Sequence, residues 1–249
     1  MNYCANPACS SPENPEHTQF CQACGAALRL QHRYRLLRII GQSGLGKTFL
    51  AVTRERGICI IDQFFADPSL PDDFYSNRSQ LLSELGHHPQ IPSLLKTFTE
   101  VGQWYTVREF IAGQNLEKIL IEKGPFDPVQ IWQLLDRLLP ILKFIHDRQA
   151  IHRDIKPAHL IARSSKTPTD PLDLSELVLV GWGSVKRIDW VEPMERAKRV
   201  GSPEYIAPEQ ARGNAGFASD LYSLGVTCIH LLTGIPPFHL FDLETDGWV

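Results

Sequence analysis

The sequence predicts an α+β fold preceded by a small four-cysteine module. Three observations carry that reading: Tyr34–Ile40 alternates as a strand and is followed by strand-like runs at Phe49–Val52 and Ile58–Ile61, a long apolar helical stretch runs from Ile131 to Asp147, and four of the six cysteines fall before residue 25. The 249 residues are 43% hydrophobic with a net charge of −3, which fits a soluble globular chain and gives no general attraction to nucleic acid or acidic membranes. No run of 18 apolar residues is available to span a bilayer, and the N-terminus lacks the basic-then-apolar pattern of a signal peptide. The expected location is the cytoplasm.

The first element is the cysteine module. Cys4, Cys9, Cys21 and Cys24 form two close-spaced pairs, with Gly25 directly after the second. The pattern resembles a zinc ribbon, in which a hairpin brings four thiolates around one structural zinc with no open coordination position. The polar stretch Ser10–Glu16 cannot build a core, so residues 1–28 would fold only with the free energy of metal binding. A disulfide pair and unliganded thiols are the alternatives. Residues 1–33 carry two Arg, no Lys and two Glu, which leaves a phosphate-binding role without support. Cys59 and Cys228 sit singly in apolar patterns and read as core residues.

After a linker at 29–33, Tyr34–Ile40 alternates as a strand and runs into Gly41-Gln42-Ser43-Gly44-Leu45-Gly46-Lys47. Phe49–Val52 and Ile58–Ile61 read as the next two strands. Phe74, Arg78, Leu81, Leu82 and Leu85 then share one helical face, with Asp72 or Asp73 as its N-cap. Trp104–Phe110 is a further strand, and Ser219–Val226 opens a buried helix ended by Gly234 and Pro236-Pro237.

His152-Arg153-Asp154-Ile155-Lys156-Pro157 is similar to the catalytic loop of protein kinases. Gly41–Gly46 resembles their glycine-rich loop, and Gly201–Glu209 resembles the segment that closes their activation loop. Together with Gly86–Pro92 and Ala207-Pro208-Glu209-Gln210, these residues resemble cyanobacterial-type serine/threonine kinases from about Tyr34 onward. The resemblance implies a bilobal fold, with a β-rich N-lobe over about 34–110 and a helical C-lobe over about 111–249. On that resemblance the C-lobe is expected to be incomplete after its central helix, through truncation or as a natural remnant. It also implies ATP and magnesium as cofactors, Asp154 as the base that accepts the substrate hydroxyl proton, and Lys156 beside it. Gly41, Gly44, Gly46, Lys47, Ile60 and Glu109 fall on nucleotide-site positions. Gly41–Thr48 also fits a Walker pattern, but strands rather than a helix follow it.

Several positions depart from the kinase pattern. Cys59-Ile60-Ile61-Asp62 puts Asp62 where the phosphate-clamping Lys is expected, and Ile60 where a small Ala belongs. A carboxylate there repels phosphate by roughly 4 kcal/mol at 4 Å for an effective dielectric near 20. Arg78 holds the place of the Glu that partners that Lys, so an exchanged ion pair, Asp62 to Arg78, is expected. Arg78 snorkelling to water is the alternative, and Arg108 is a further candidate for the same pocket. Gly181-Trp182-Gly183 replaces D-F-G and His159 replaces the metal-binding Asn, so both protein-derived magnesium ligands are missing. Trp182 is expected to stack between His152 and Leu82, and His159 to pack or hydrogen-bond rather than to ligate a soft metal.

Val185–Gly201 contains no Ser, Thr or Tyr, and its mixed charges read as a solvated face. Arg163–Asp173 reads as a disordered surface insertion. The combined expectation is a pseudokinase that binds or scaffolds a protein partner in signalling, with a structural zinc, weakened ATP and magnesium binding, and an oligomeric state the residues do not specify. The alternatives are an active serine/threonine kinase in which Lys47 replaces the missing Lys, and an inactive ATP-binding switch.

Overall fold

The computed structural model describes residues 1–71, 73–163, 174–193, 197, 200–242 and 247–248. These form two compact units, the first from residues 1–83 and 93–110, the second from 84–92 and 111–249.

Alternation in the first half becomes a six-stranded antiparallel sheet. In chain order its strands are β3 (Arg29–Leu30), β4 (Tyr34–Ser43), β5 (Gly46–Val52), β6 (Ile58–Phe64), β7 (Leu94–Glu100) and β8 (Gln103–Glu109). Their spatial order is β3-β4-β5-β6-β8-β7. One face holds a core of Tyr34, Leu36, Phe49, Ala51, Cys59, Ile61, Tyr105 and Val107. Two short strands from the cysteine module, β1 (Asn2–Tyr3) and β2 (Glu13–Asn14), pair with each other, and Tyr3 and Ala5 pack on that core. The Tyr3 and Phe49 rings lie 5.5 Å apart. The Gln63 amide donates to the Ala5 carbonyl at 2.6 Å and to the Tyr105 hydroxyl at 3.0 Å.

Helix α1 spans Phe74–Leu85, and all five residues of the expected stripe are buried. Of the two N-cap candidates, Asp72 lies outside the described residues; the Asp73 carboxylate accepts the Asn77 side-chain amide at 2.9 Å.

The second unit is built on helices whose ends were written in the sequence. Asn115 caps α2 (Leu116–Lys123) by accepting the Lys118 N–H at 2.8 Å, and Gly124 ends it at φ 85°. Asp127 and Gln130 form a reciprocal capping box at the start of α3 (Pro128–His146), with Pro128 in the first turn. Its buried stripe is Ile131, Leu134, Leu138, Ile141, Leu142 and Ile145. Strands β9 (Gly113–Asn115), β11 (Leu160–Arg163) and β12 (Leu177–Leu179) form one small sheet, and β10 (Ala150–Ile151) pairs with β13 (Lys186–Arg187). A short helix α4 (Pro208–Ala211) precedes α5 (Phe217–Thr233), which ends at Gly234 with φ 67°. Residues 164–173 of the expected insertion lie outside the described residues.

Asp220 on α5 is fully buried and organises the catalytic-loop segment. It accepts the His152 and Arg153 backbone N–H groups at 2.9 and 2.8 Å and the His146 Nε2–H at 2.9 Å. Three donors on one buried carboxylate fix the loop backbone, Arg153 at φ 69° included.

Candidate functional site

The four N-terminal cysteine Sγ atoms all lie within 4.8 Å of one another. Cys4 and Cys24 are 3.6 Å apart, as are Cys9 and Cys21. A tetrahedral zinc thiolate with bonds near 2.3 Å needs neighbouring sulfurs about 3.8 Å apart, so the donor set fits that ion. Local hydrogen bonds favour the ligating form at Cys21: burial pulls its thiol up, but backbone N–H groups of Cys24 and Ala23 and the Asn14 amide bring it down to about 6. Asn14 in turn is held by the Gln22 N–H at 2.9 Å. The arrangement fits a small zinc ribbon.

In the first unit, β4 and β5 close a tight hairpin whose register runs Gly41 to Thr48, Gln42 to Lys47 and Ser43 to Gly46. A Cβ at Gly46 would overlap the Gln63 carbonyl, so glycine is required there by the close approach of β6. The segment after Lys47 is strand β5, not a helix, which removes the Walker alternative. Alternation also places Lys47 on the sheet face of Phe49 and Ala51, opposite to Thr48.

That face assignment matters because Thr48 points at Asp62. The Thr48 hydroxyl donates to Asp62 Oδ1 at 2.8 Å, and the Thr106 hydroxyl to Oδ2 at 3.0 Å. Arg108 adds Nε at 2.9 Å and Nη2 at 2.7 Å, both to Oδ2. Asp62 and Arg108 are each 4% exposed. The expected Asp62–Arg78 pair is therefore corrected to Asp62–Arg108. The β6–β8 register explains it: Thr106 lies directly opposite Asp62 and Arg108 opposite Ile60, so Arg108 is a diagonal cross-strand neighbour on the same face. Arg78 does not snorkel either; it is 1% exposed, with its guanidinium 4.9 Å from the centre of the Phe64 ring. Glu109 accepts the Ser93 N–H at 3.3 Å.

In the second unit, Asp154 follows the segment held by Asp220. The Ser202 hydroxyl donates to Asp154 Oδ1 at 2.7 Å and accepts from Lys156 Nζ at 2.6 Å. Sequence reading did not find Ser202, because nothing local in Gly201–Glu209 announces which hydroxyl reaches back 48 positions. Burial pushes the Asp154 carboxyl up, but His159, Lys156 and the Ser202 hydroxyl outweigh it and hold the group below its ordinary value. Asp154 is thus an ionised, oriented acceptor.

His159 occupies a defined place rather than a solvent one. Its Nδ1–H donates to the Asp154 carbonyl at 2.7 Å and lies 3.3 Å from Asp154 Oδ2. Gly181 faces it in the left-handed region at φ 84°, and a Cβ there would come within 2.6 Å of the imidazole Cε1. The imidazole therefore fills the space that any side chain at position 181 would need. Trp182 is 1% exposed and meets His152, an expected neighbour, edge-on at 4.7 Å rather than stacked, with its indole N–H on the Leu179 carbonyl at 2.8 Å. Complete burial drives His152 down to about 4; its Nε2–H donates to the Val180 carbonyl at 3.0 Å.

The loop after Trp182 needs a correction. Its charges were expected to be solvated, and Arg187 and Asp189 do form a surface pair at 3.1 Å. Glu192, however, is buried against Arg153, with both side chains 2% exposed. Glu195, Arg196, Lys198 and Arg199 lie outside the described residues.

Among the known proteins to which the chain is similar, three of one type are informative. Serine/threonine-protein kinase B of Synechocystis is 39% identical over 95% of this chain and 43% of its own length. Serine/threonine-protein kinase C of the same organism is 37% identical over 88% of this chain and 42% of its own. Serine/threonine-protein kinase PknA of Nostoc is 32% identical over 87% of this chain and 39% of its own. The chain thus spans less than half the length of these relatives. The protein kinase domain family matches residues 34–246, and the chain belongs to that family.

Proposed function

We propose that this chain is a kinase-family binding or scaffolding module with little or no phosphotransfer. The observation that carries the reading is the Asp62 network. Where the family has a cation for phosphate, this chain has a carboxylate whose oxygens accept from Thr48, Thr106 and Arg108. Arg108 neutralises Asp62 and is held by it, so it is not presented to a ligand. Lys47, the residue that could have substituted, belongs to the opposite sheet face. With His159 and Gly181 at the two magnesium-ligand positions, the metal also loses its protein donors.

A second reading has its own support. The similar proteins are named serine/threonine kinases, and those names weigh toward an active enzyme. The ionised Asp154, oriented by Ser202 and Lys156, is the group such an enzyme would use as base. Positioned acid–base groups contribute about 10²- to 10⁴-fold, which is modest without the phosphate clamp and metal.

The test is phosphotransfer from labelled ATP to the protein itself and to generic substrates, with magnesium and with manganese. Background transfer, equal in wild type and Asp154→Asn, is the expected result. Transfer above background that disappears in Asp154→Asn would establish the active-kinase reading instead.

The cysteine module is proposed to hold one structural zinc through Cys4, Cys9, Cys21 and Cys24. Metal analysis of reduced protein should find one equivalent, and its absence would remove the assignment. Among the described residues no helix is long and apolar enough to cross a membrane, and a cytoplasmic location is proposed with the signalling role. A protein partner would find exposed apolar side chains on α3, Val129 and Trp132, and on α5, Leu221 and Leu232.

A further inference from the structure

Residues 1–28 cannot hold themselves together by burial alone. The buried cluster inside the cysteine module consists of Cys4, Cys21 and Leu28, with Cys9 and Ala26 packed against it, so three of these five side chains are thiols. Such a cluster removes too little apolar surface from water to order a segment of this length. The module is instead fastened to the six-stranded sheet. Tyr3 and Ala5, on either side of Cys4, pack on the sheet core, where the Tyr3 ring meets Phe49, itself fully buried. The Ala5 carbonyl accepts from the amide of Gln63, which is 1% exposed and stands next to Asp62 on β6. Asn2 donates through its amide to the Pro15, Glu16 and Thr18 carbonyls and accepts from Arg35 of β4 at 3.3 Å. Arg35 also reaches Glu16 Oε1 at 2.9 Å. At its other end the module runs into β3, whose Arg29 and Leu30 pair with Arg35 and Tyr34.

We propose that the module is a metal-set clamp on the sheet face that holds Phe49 and Ile61: zinc on the four cysteines fixes residues 2–5, and these hold β4 and the Asp62 strand β6.

The proposal rests on the zinc reading above and extends it from a self-contained ribbon to a part that sets the rigidity of the sheet. Metal binding and docking both order residues 2–5, so whichever is present lowers the entropy cost of the other. Such coupling is reciprocal. If metal protects β6, loss of a docking side chain on β6 must weaken metal retention by the same factor, although Gln63 is no ligand. A ribbon merely tethered to the sheet would show neither effect. Asp62 gives the clamp a consequence. It accepts from Thr48 on β5 and from Thr106 and Arg108 on β8, so its network lasts only while β6 keeps its register. Gln63, on the opposite face by strand alternation, ties that register to the residue after Cys4.

The experiment is amide hydrogen exchange on the full chain, read by mass spectrometry, with metal content measured on every sample. Reduced wild type is compared with zinc, after stripping by a chelator, and after zinc is added back. Stripping should speed exchange in β4 and β6 at least about tenfold, because the free energy of local opening sets that rate. Added zinc should reverse the change, and α3 and α5 should be unaffected. In competition with a chromophoric chelator, Gln63→Leu and Tyr3→Ala should lose zinc affinity by the factor that zinc gives to β6 protection in wild type. Tyr105→Phe, which removes only the other partner of Gln63, should hold zinc as wild type does.

Wild type that holds zinc but exchanges equally in β4 and β6 with and without it would overturn the clamp and leave the structural zinc standing. Wild type that binds no zinc overturns both. Acceleration as large in α3 and α5 as in β6 is general unfolding and rejects the clamp. So do Gln63→Leu and Tyr3→Ala proteins that hold zinc as tightly as wild type, or a Tyr105→Phe loss equal to that of Gln63→Leu. A Gln63→Leu chain that folds only in excess zinc supports the clamp, and one unfolded at every zinc concentration counts against it.

Discussion

In the first unit the altered position is closed from within: Asp62 takes its hydrogen bonds from Thr48, Thr106 and Arg108, and the resulting cluster is buried and internally neutral. In the second unit the altered positions leave the surrounding frame standing. Asp154 is still oriented by Ser202 and Lys156, and Asp220 still clamps the loop, while His159 and Gly181 are altered as a matched pair. The difference teaches which family residues do structural work. The loop around Asp154 is tied to α5 by buried hydrogen bonds, so changing it would leave unsatisfied groups inside the unit. At the third-strand position the ties of Asp62 run to side chains of neighbouring strands rather than to the loop backbone, and Arg108 supplies the counter-charge that a buried carboxylate needs.

The largest effect should come from breaking the first of these arrangements. Arg108→Ala leaves the Asp62 carboxylate buried with only two hydroxyl donors, and removal of one member of a buried pair typically costs about 3–5 kcal/mol. Replacing both residues, Asp62→Leu with Arg108→Met, should cost much less, because no buried charge remains. Urea denaturation of wild type, Asp62→Leu, Arg108→Met and the double variant gives the coupling energy directly. The same cycle with Arg78 in place of Arg108 should show weak coupling; strong coupling to Arg78 would reject the partner assignment.

That contrast also marks where the sequence is legible. Strand alternation and the helix-ending Gly234 are local rules, and the elements followed them. So did the place of Asp62 within β6 and the buried stripe of α1. The partner of Asp62 was not legible, since Arg78 and Arg108 are both cations near one pocket and only the β6–β8 register chooses between them. Glu192 was hidden for a related reason: a mixed-charge run reads as solvent-facing unless one knows that Arg153, 39 positions earlier, lies beneath it. The His159–Gly181 complementarity is a matter of shape across the chain, which no spacing pattern encodes.

Acid should sharpen the comparison by acting on the second unit. His152 is buried neutral, its ionisation depressed from 6.5 to about 4, so between those values the unfolded chain binds a proton that the folded chain does not. Stability then falls as pH drops through that window, by about 3 kcal/mol at 1.36 kcal/mol per unit. Asp154, held below its ordinary 3.8, loses its contribution only at lower pH. Denaturation midpoints of wild type and His152→Gln measured from pH 7 to pH 4 should converge toward acid. Parallel curves would mean that His152 does not titrate in that range.

The smallest effect separates a matched pair from two independent changes. Gly181→Asp would push a side chain into the His159 ring from a left-handed backbone position, and overpacking of this kind costs about 1–3 kcal/mol. His159→Asn alone gives up the imidazole's volume, and its shorter amide does not reproduce the Nδ1–H bond to the Asp154 carbonyl, a loss of about 1 kcal/mol. Made together, the smaller Asn admits the new carboxylate, so the double variant should be more stable than the sum of the two single losses predicts. The double variant also restores the family's two magnesium ligands while leaving Asp62 in place. If the first unit's closed cluster is what keeps phosphate out, a thermal-shift titration of the double variant should show a response to manganese alone and no added response to ATP. Losses that simply add would show that His159 and Gly181 were substituted independently, and an ATP-dependent shift would show that the Asp62 cluster is no barrier to nucleotide.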